Sequence, residues 1–156
     1  MPTYQQLIQQ GDHFFEQQRL AEAIQAFGLA AQMQPEQKEP LTKLGLICKD
    51  MGDLDGAADF FRKVAAQDAN DAFVRLQLGL VRYEQGSLAE AEPVLQNAAE
   101  LIDRGTAAMR ADLEAAAPQQ EGTIRQQCEE LEETADAVRL LIDEIRTEQA
   151  AAEPAV

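Results

Sequence analysis

Residues 41–64, LTKLGLICKDMGDLDGAADFFRKV, recur in weaker form once earlier and once later in the chain, each time displaced by 34 residues. Gly11, Gly45 and Gly79 form one column at that spacing, Leu20, Leu54 and Leu88 a second, and Ala23, Ala57 and Ala91 a third. Composition alone does not put three columns in phase. A glycine inside a helix costs roughly 0.5–1 kcal/mol relative to alanine, so three at one phase mark a place where another helix comes too close for a side chain. The alanine column supplies the other half of that contact. Phe27, Phe61 and Leu95 follow the alanines by four residues, and Ala30, Val64 and Ala98 by seven, which is the spacing of one helical face.

Set out by repeat, the columns are Leu7, Gly11, Phe14, Ala23, Phe27, Ala30 and Pro35; then Leu41, Leu44, Gly45, Ala57, Phe61 and Val64; then Leu78, Gly79, Ala91, Leu95 and Ala98. This pattern resembles the tetratricopeptide repeat, a helix–turn–helix unit with Leu-Gly in its first helix and Ala-x3-Phe in its second. The resemblance implies an all-α solenoid, a right-handed superhelix of three repeats over residues 3–105, at about 4–37, 38–71 and 72–105. It also implies a binding scaffold rather than an enzyme. Arg75 and Arg82 depart from it by standing where large apolar residues belong, Gln10 replaces the leucine before Gly11, and the chain has no tryptophan.

Local signals agree with that division. Thr3-x-x-Gln6 is a capping box, Gly52-Asp53 a turn, Asn70-Asp71 a cap and Ser87-x-x-Glu90 a second box. Pro35 ends one helix and Pro40 sits in the first turn of the next. Pro93 falls inside the last repeat's second helix, where a kink is expected. After Gly105 the repeat ends. Thr106 is expected to cap a short helix over 106–117, Pro118–Gly122 to break the chain, and Thr123-x-x-Gln126 to open a long amphipathic helix over 123–149, with 150–156 frayed.

The composition narrows the function. A net charge of −15 and a pI near 4.3 argue against a nucleic-acid or anionic-membrane partner. Acid is concentrated late, with 16 acids against 9 bases over residues 1–105 and 12 against 4 over 106–156. The amino terminus lacks a signal pattern and no long apolar run occurs, so a cytoplasmic protein is expected. Cys48 and Cys128 occupy apolar positions and are expected to be buried thiols. His13, the one histidine, has no ligand partners in sequence and is expected to pack structurally. No phosphate-binding loop, metal spacing or nucleophile pair is present, so no enzyme activity and no cofactor are expected.

In the family resembled, the second, fifth, ninth and twelfth positions of each first helix line a concave groove. Those positions imply Ile8, Phe15, Leu46, Phe73, Leu76, Leu80 and Tyr83 as the partner-binding surface. The third repeat's set is wholly apolar or aromatic, and Val74, Leu78 and Val81 form a separate stripe about 120° away. One helix with two apolar faces needs a second cover or a ligand. The lysine, arginine and asparagine clamp of the chaperone-adaptor branch is replaced here by Ile8, Asp12, Leu46, Phe73 and Gln77. The architecture is also similar to the small acidic three-repeat chaperones of bacterial type III secretion, whose grooves hold apolar translocator segments, although the long last helix has no clear counterpart there. Arg75 and Arg82 are expected to pair with Asp112, Glu114 or nearby acids of the third repeat.

The last helix carries a seam of Ile124, Cys128, Leu131, Ala135, Val138, Ile142 and Ile145 in alternating steps of four and three. Small residues at a and β-branched ones at d disfavour a parallel zipper, and the e–g charge pairs of such a zipper are largely missing. Docking on the chain's own repeats, self-association into a homo-oligomer and capture of a partner helix all remain open. The partner expected is therefore another protein's apolar helix or peptide, or the chain's own C-terminal helix. The rival class is a homo-oligomeric structural protein whose groove is filled by itself.

Overall fold

The computed structural model describes residues 1–113 and 117–152, in which seven helices and no strand occur. The chain divides into two compact units, residues 1–69 and residues 70 onward. The first holds α1 (Tyr4–Glu16), α2 (Leu20–Met33), α3 (Lys38–Asp50) and α4 (Leu54–Gln67). The second holds α5 (Ala72–Glu84), α6 (Leu88–Leu113) and α7 (Pro118–Ala152).

Each repeat's two helices meet at the columns seen in sequence. Ala23, Ala57 and Ala91, then Phe27, Phe61 and Leu95, then Ala30, Val64 and Ala98 are all fully buried. A Cβ added at Gly11 would lie 2.5 Å from the Phe27 ring, at Gly45 2.7 Å from Phe61, and at Gly79 2.6 Å from Leu95. These separations are well inside van der Waals contact, so the glycines exist to admit the large residue of the second helix. In the first unit Leu7, Ile8, Ala23, Phe27, Ala30, Leu44 and Ile47 form one core, with Tyr4, Phe14, Phe15, Leu20, Ile24 and Phe60 packed around it.

The helix starts follow the caps. Thr3 and Gln6 form the reciprocal box, Asp53 accepts from the Gly56 amide at 3.0 Å, and Asp71 accepts from the Val74 amide at 3.0 Å. The turn between paired helices repeats as well. Gln18, Gly52 and Gly86 have φ of 59°, 78° and 75°, and each donates its amide three residues back, to Phe15, Lys49 and Tyr83. The left-handed conformation suits glycine and costs an L-residue with a side chain roughly 1–2 kcal/mol. Gln18→Gly is therefore expected to raise stability by about 1 kcal/mol in urea denaturation. An unchanged midpoint would mean that the Gln18 side chain recovers the strain.

The carboxyl-terminal third differs from expectation. No separate helix starts after Gly105, because α6 runs without interruption from Leu88 to Leu113 through both Pro93 and Gly105. Thr106 is not a cap; it is buried inside α6 and its hydroxyl donates to the Ile102 carbonyl at 2.9 Å. The physical reason is that Leu101, Ile102 and Thr106 keep one face of α6 buried past the end of the repeat, which outweighs one helical glycine. Part of the expected 106–117 helix, residues 114–116, lies outside the described residues. The break placed at Pro118–Gly122 is also absent: Pro118 occupies the first helical position of α7, which tolerates its missing amide, and Thr123 lies within the helix. At the other end α7 continues to Ala152, so residues 150–152 are helical; 153–156 lie outside the described residues.

Candidate protein-binding face

Helix α5 presents two apolar stripes that are buried unequally. Val74, Leu78 and Val81 are buried. Leu76, Leu80 and Tyr83 are half-buried, packed against a cluster made by Ala91, Leu95 and Ala99 of α6 with Val138, Ile142 and Ile145 of α7. Phe73, one turn ahead of Leu76, is 48% exposed.

The remaining groove residues implied by the resemblance lie in the first unit. Phe15 and Leu46 are half-buried, and Phe15 packs on the unit's core. Ile8 is buried within that core at 8% exposure, so its side chain supports the helix pair rather than lining an open surface. Asp12, next on that face, is tied to Lys43 at 2.6 Å.

Helix α7 lies along α6, and the seam explains how. Cys128, Ala135, Val138, Ile142 and Ile145 are buried, while Ile124 and Leu131 are half-buried. Along one flank of the seam, Arg146 pairs with Glu92 at 2.7 Å, Arg139 with Asp103 at 2.6 Å, and Glu132 with Arg110. Residue numbers rise on α7 as they fall on α6, so the two helices are antiparallel. These pairs are half exposed and each adds little, at most ~1 kcal/mol, but together they fix the register. On the other flank Leu141 joins the cluster that Leu76, Leu80 and Tyr83 pack against. The carboxylate of Glu144, then burial, then Glu148 push the Tyr83 phenol above its ordinary pKa, so both acids act on its hydroxyl through space.

Other candidate groups resolve simply. His13 is exposed rather than packed, with its Nε2 2.9 Å from the Gln17 amide nitrogen. Cys48 is half-buried rather than buried, and burial beside Asp53 pushes its thiol up; Cys128 is buried. Arg82 pairs with Glu90, an acid of the third repeat as expected, at 3.2 Å and with the Gln85 amide oxygen. The Arg75 Nε is buried without a hydrogen-bond partner among the described residues. Among those residues no three His, Cys, Asp or Glu side chains gather as a metal site. No described helix is long and apolar enough to cross a membrane.

Sequence reasoning missed the flank pairs and the position of Glu144 and Glu148. The seven-residue spacing of Glu132, Arg139 and Arg146 was the available signal.

Comparison with known proteins places this geometry. The sequence profile of the tetratricopeptide repeat matches residues 39–71. No curated protein sequence matches the chain. Among solved structures, a T3SS complex from Aeromonas hydrophila is similar with a TM-score of 0.71 and 18% identity, covering 94% of this chain and 83% of that one. The type III secretion chaperone SycD of Yersinia enterocolitica, in complex with a peptide of the translocator YopD, is similar with a TM-score of 0.63 and 20% identity over 87% of this chain and 92% of that one. The first tetratricopeptide-repeat domain of Spaghetti (RPAP3), bound to the HSP90 peptide SRMEEVD, is similar with a TM-score of 0.60 and 16% identity over 80% and 91%. The second helix pair is thus a tetratricopeptide repeat by sequence, and the chain as a whole has the all-α fold of tetratricopeptide-repeat solenoids.

Proposed function

We propose that this protein is a non-enzymatic scaffold or chaperone that binds an apolar helix or extended segment of another protein, with Phe73, Leu76, Leu80 and Tyr83 at the centre of the binding face. The observation that carries this reading is the second apolar stripe of α5: α6 and α7 leave it half covered, and Phe73 at its end stands 48% exposed. A stripe of that kind on a first repeat helix is a surface for apolar anchors. The fold supports the class of function, since similar solved domains hold a translocator peptide in one case and an HSP90 peptide in another. A clamp for an acidic carboxyl terminus is not part of the reading, because Asp12 and Phe73 stand among the positions that such a clamp would fill with basic and amide groups.

Self-association through α7 is the weaker alternative. The buried residues of its seam are already packed within their own unit, and a second copy would have to displace that packing.

Phe73→Asp tests the proposal. Residue 73 is the second residue of α5, where an acid suits the helix dipole, so the variant is expected to fold normally. Loss of an aromatic anchor costs about 2 kcal/mol at an interface, or about thirtyfold in affinity. Capture of native partners by the immobilised full chain should fall accordingly. Retention of every partner by a folded Phe73→Asp chain would sink the proposal.

A further inference from the structure

The two flanks of α7 differ in a way that bears on what sits beside α5. On the α6 side, Arg139 and Arg146 have carboxylate partners from α6 and from their own helix, so the acids of that flank face bound guanidinium groups. On the α5 side, Leu141 packs into the cluster under Leu76, Leu80 and Tyr83, and Glu144 and Glu148 follow it one and two turns along the same side of the helix. Both acids are exposed, and no ion pair among the described residues uses either of them. The half-covered apolar stripe of α5 is therefore edged, at its Tyr83 end, by two uncompensated carboxylates one helical turn apart.

We infer that the segment docking on α5 carries lysine or arginine beside its apolar anchors, and that Glu144 and Glu148 are the groups that meet them. This rests on the reading of α5 as the binding face and adds the charge of the partner. An apolar anchor on Leu76, Leu80 or Tyr83 brings the flanking residues of its own chain within a few ångströms of that edge. There a like charge is repelled and an opposite charge is held. The carboxylates would set which partner is accepted and in what direction it lies, more than how tightly the apolar part packs. Their position on α7 also makes that helix a part of the binding face rather than only a cover for α6.

Two synthetic helix-forming peptides with one leucine and isoleucine stripe, flanked in one case by lysines and in the other by glutamates, test this with the full chain by fluorescence anisotropy. The lysine-flanked peptide should bind about tenfold more tightly at low salt, with the gap closing as salt rises. Glu144→Lys with Glu148→Lys should abolish or reverse the preference, while Glu121→Lys with Glu129→Lys, which makes the same change in net charge elsewhere on α7, should leave it. Equal narrowing by both pairs would assign the preference to the overall charge and overturn the inference. Equal binding of the two peptides, lost in Phe73→Asp, would also overturn it while leaving the α5 face intact. Binding of the lysine-flanked peptide that is indifferent to Phe73→Asp would remove the α5 reading and this inference together.

Discussion

Phe61→Ala is expected to lower stability by about 3–5 kcal/mol, read as a fall in the urea midpoint. The ring is fully buried and fills the space left by Gly45, where an added Cβ would approach it to 2.7 Å. Truncation removes the apolar transfer energy of the ring and leaves a cavity between α3 and α4 that neighbouring Ala57, Ala58 and Val64, themselves buried, are too small to fill. The contact can be isolated by a double-mutant cycle. With Phe61 present, Gly45→Ala overpacks the crossing and should cost about 1–3 kcal/mol. With Phe61 already alanine the clash is gone, and the same substitution should gain the ~0.5–1 kcal/mol of helix propensity that alanine holds over glycine. A change of sign between the two backgrounds is the expected signature. If Gly45→Ala has the same effect in both, the glycine column is not there to admit the ring.

That crossing is also the part of the molecule most legible in the sequence. Glycine, alanine and phenylalanine columns at one phase report a close helix contact directly, because the residue types are the steric solution and the spacing repeats. Caps at Thr3 and Asp71 and the turn at Gly52-Asp53 were readable for a similar reason: each is set by two or three neighbouring residues. What failed were inferences that needed a partner's identity. Thr106 and Thr123 look like caps from their neighbours, but both lie inside helices once α6 and α7 bury each other's faces. Glu132, Arg139 and Arg146 look unpaired if a parallel zipper is assumed, whereas an antiparallel neighbour in the same chain supplies Arg110, Asp103 and Glu92. Ile8 occupies a groove position by register alone, and its burial depends on how closely α2 and α3 pack beside it, which register does not encode. On α5 the sequence revealed two apolar stripes, but how much of the second stays open depends on where α7 runs.

Ile145→Ala is the companion expectation for the second unit, with a loss of about 2–5 kcal/mol. Ile145 is fully buried and belongs to the cluster that joins Leu95 and Ala99 of α6 to Val138 and Ile142 of α7, against which Leu76, Leu80 and Tyr83 of α5 rest. The apolar seam, not the ion pairs, should hold α7 in place. Arg139→Ala removes a half-exposed pair worth at most ~1 kcal/mol, so the two variants separate the contributions. Amide hydrogen exchange gives the local readout: Ile145→Ala should speed exchange along α7 far more than Arg139→Ala does. The opposite ranking would mean that charge, rather than the seam, fastens the helix. Phe73 gives an internal check, since it stands outside the cluster and Phe73→Asp should leave α7 exchange unchanged. A face built this way keeps its anchors half open because the helix that edges it is held from the other side, through residues buried against α6.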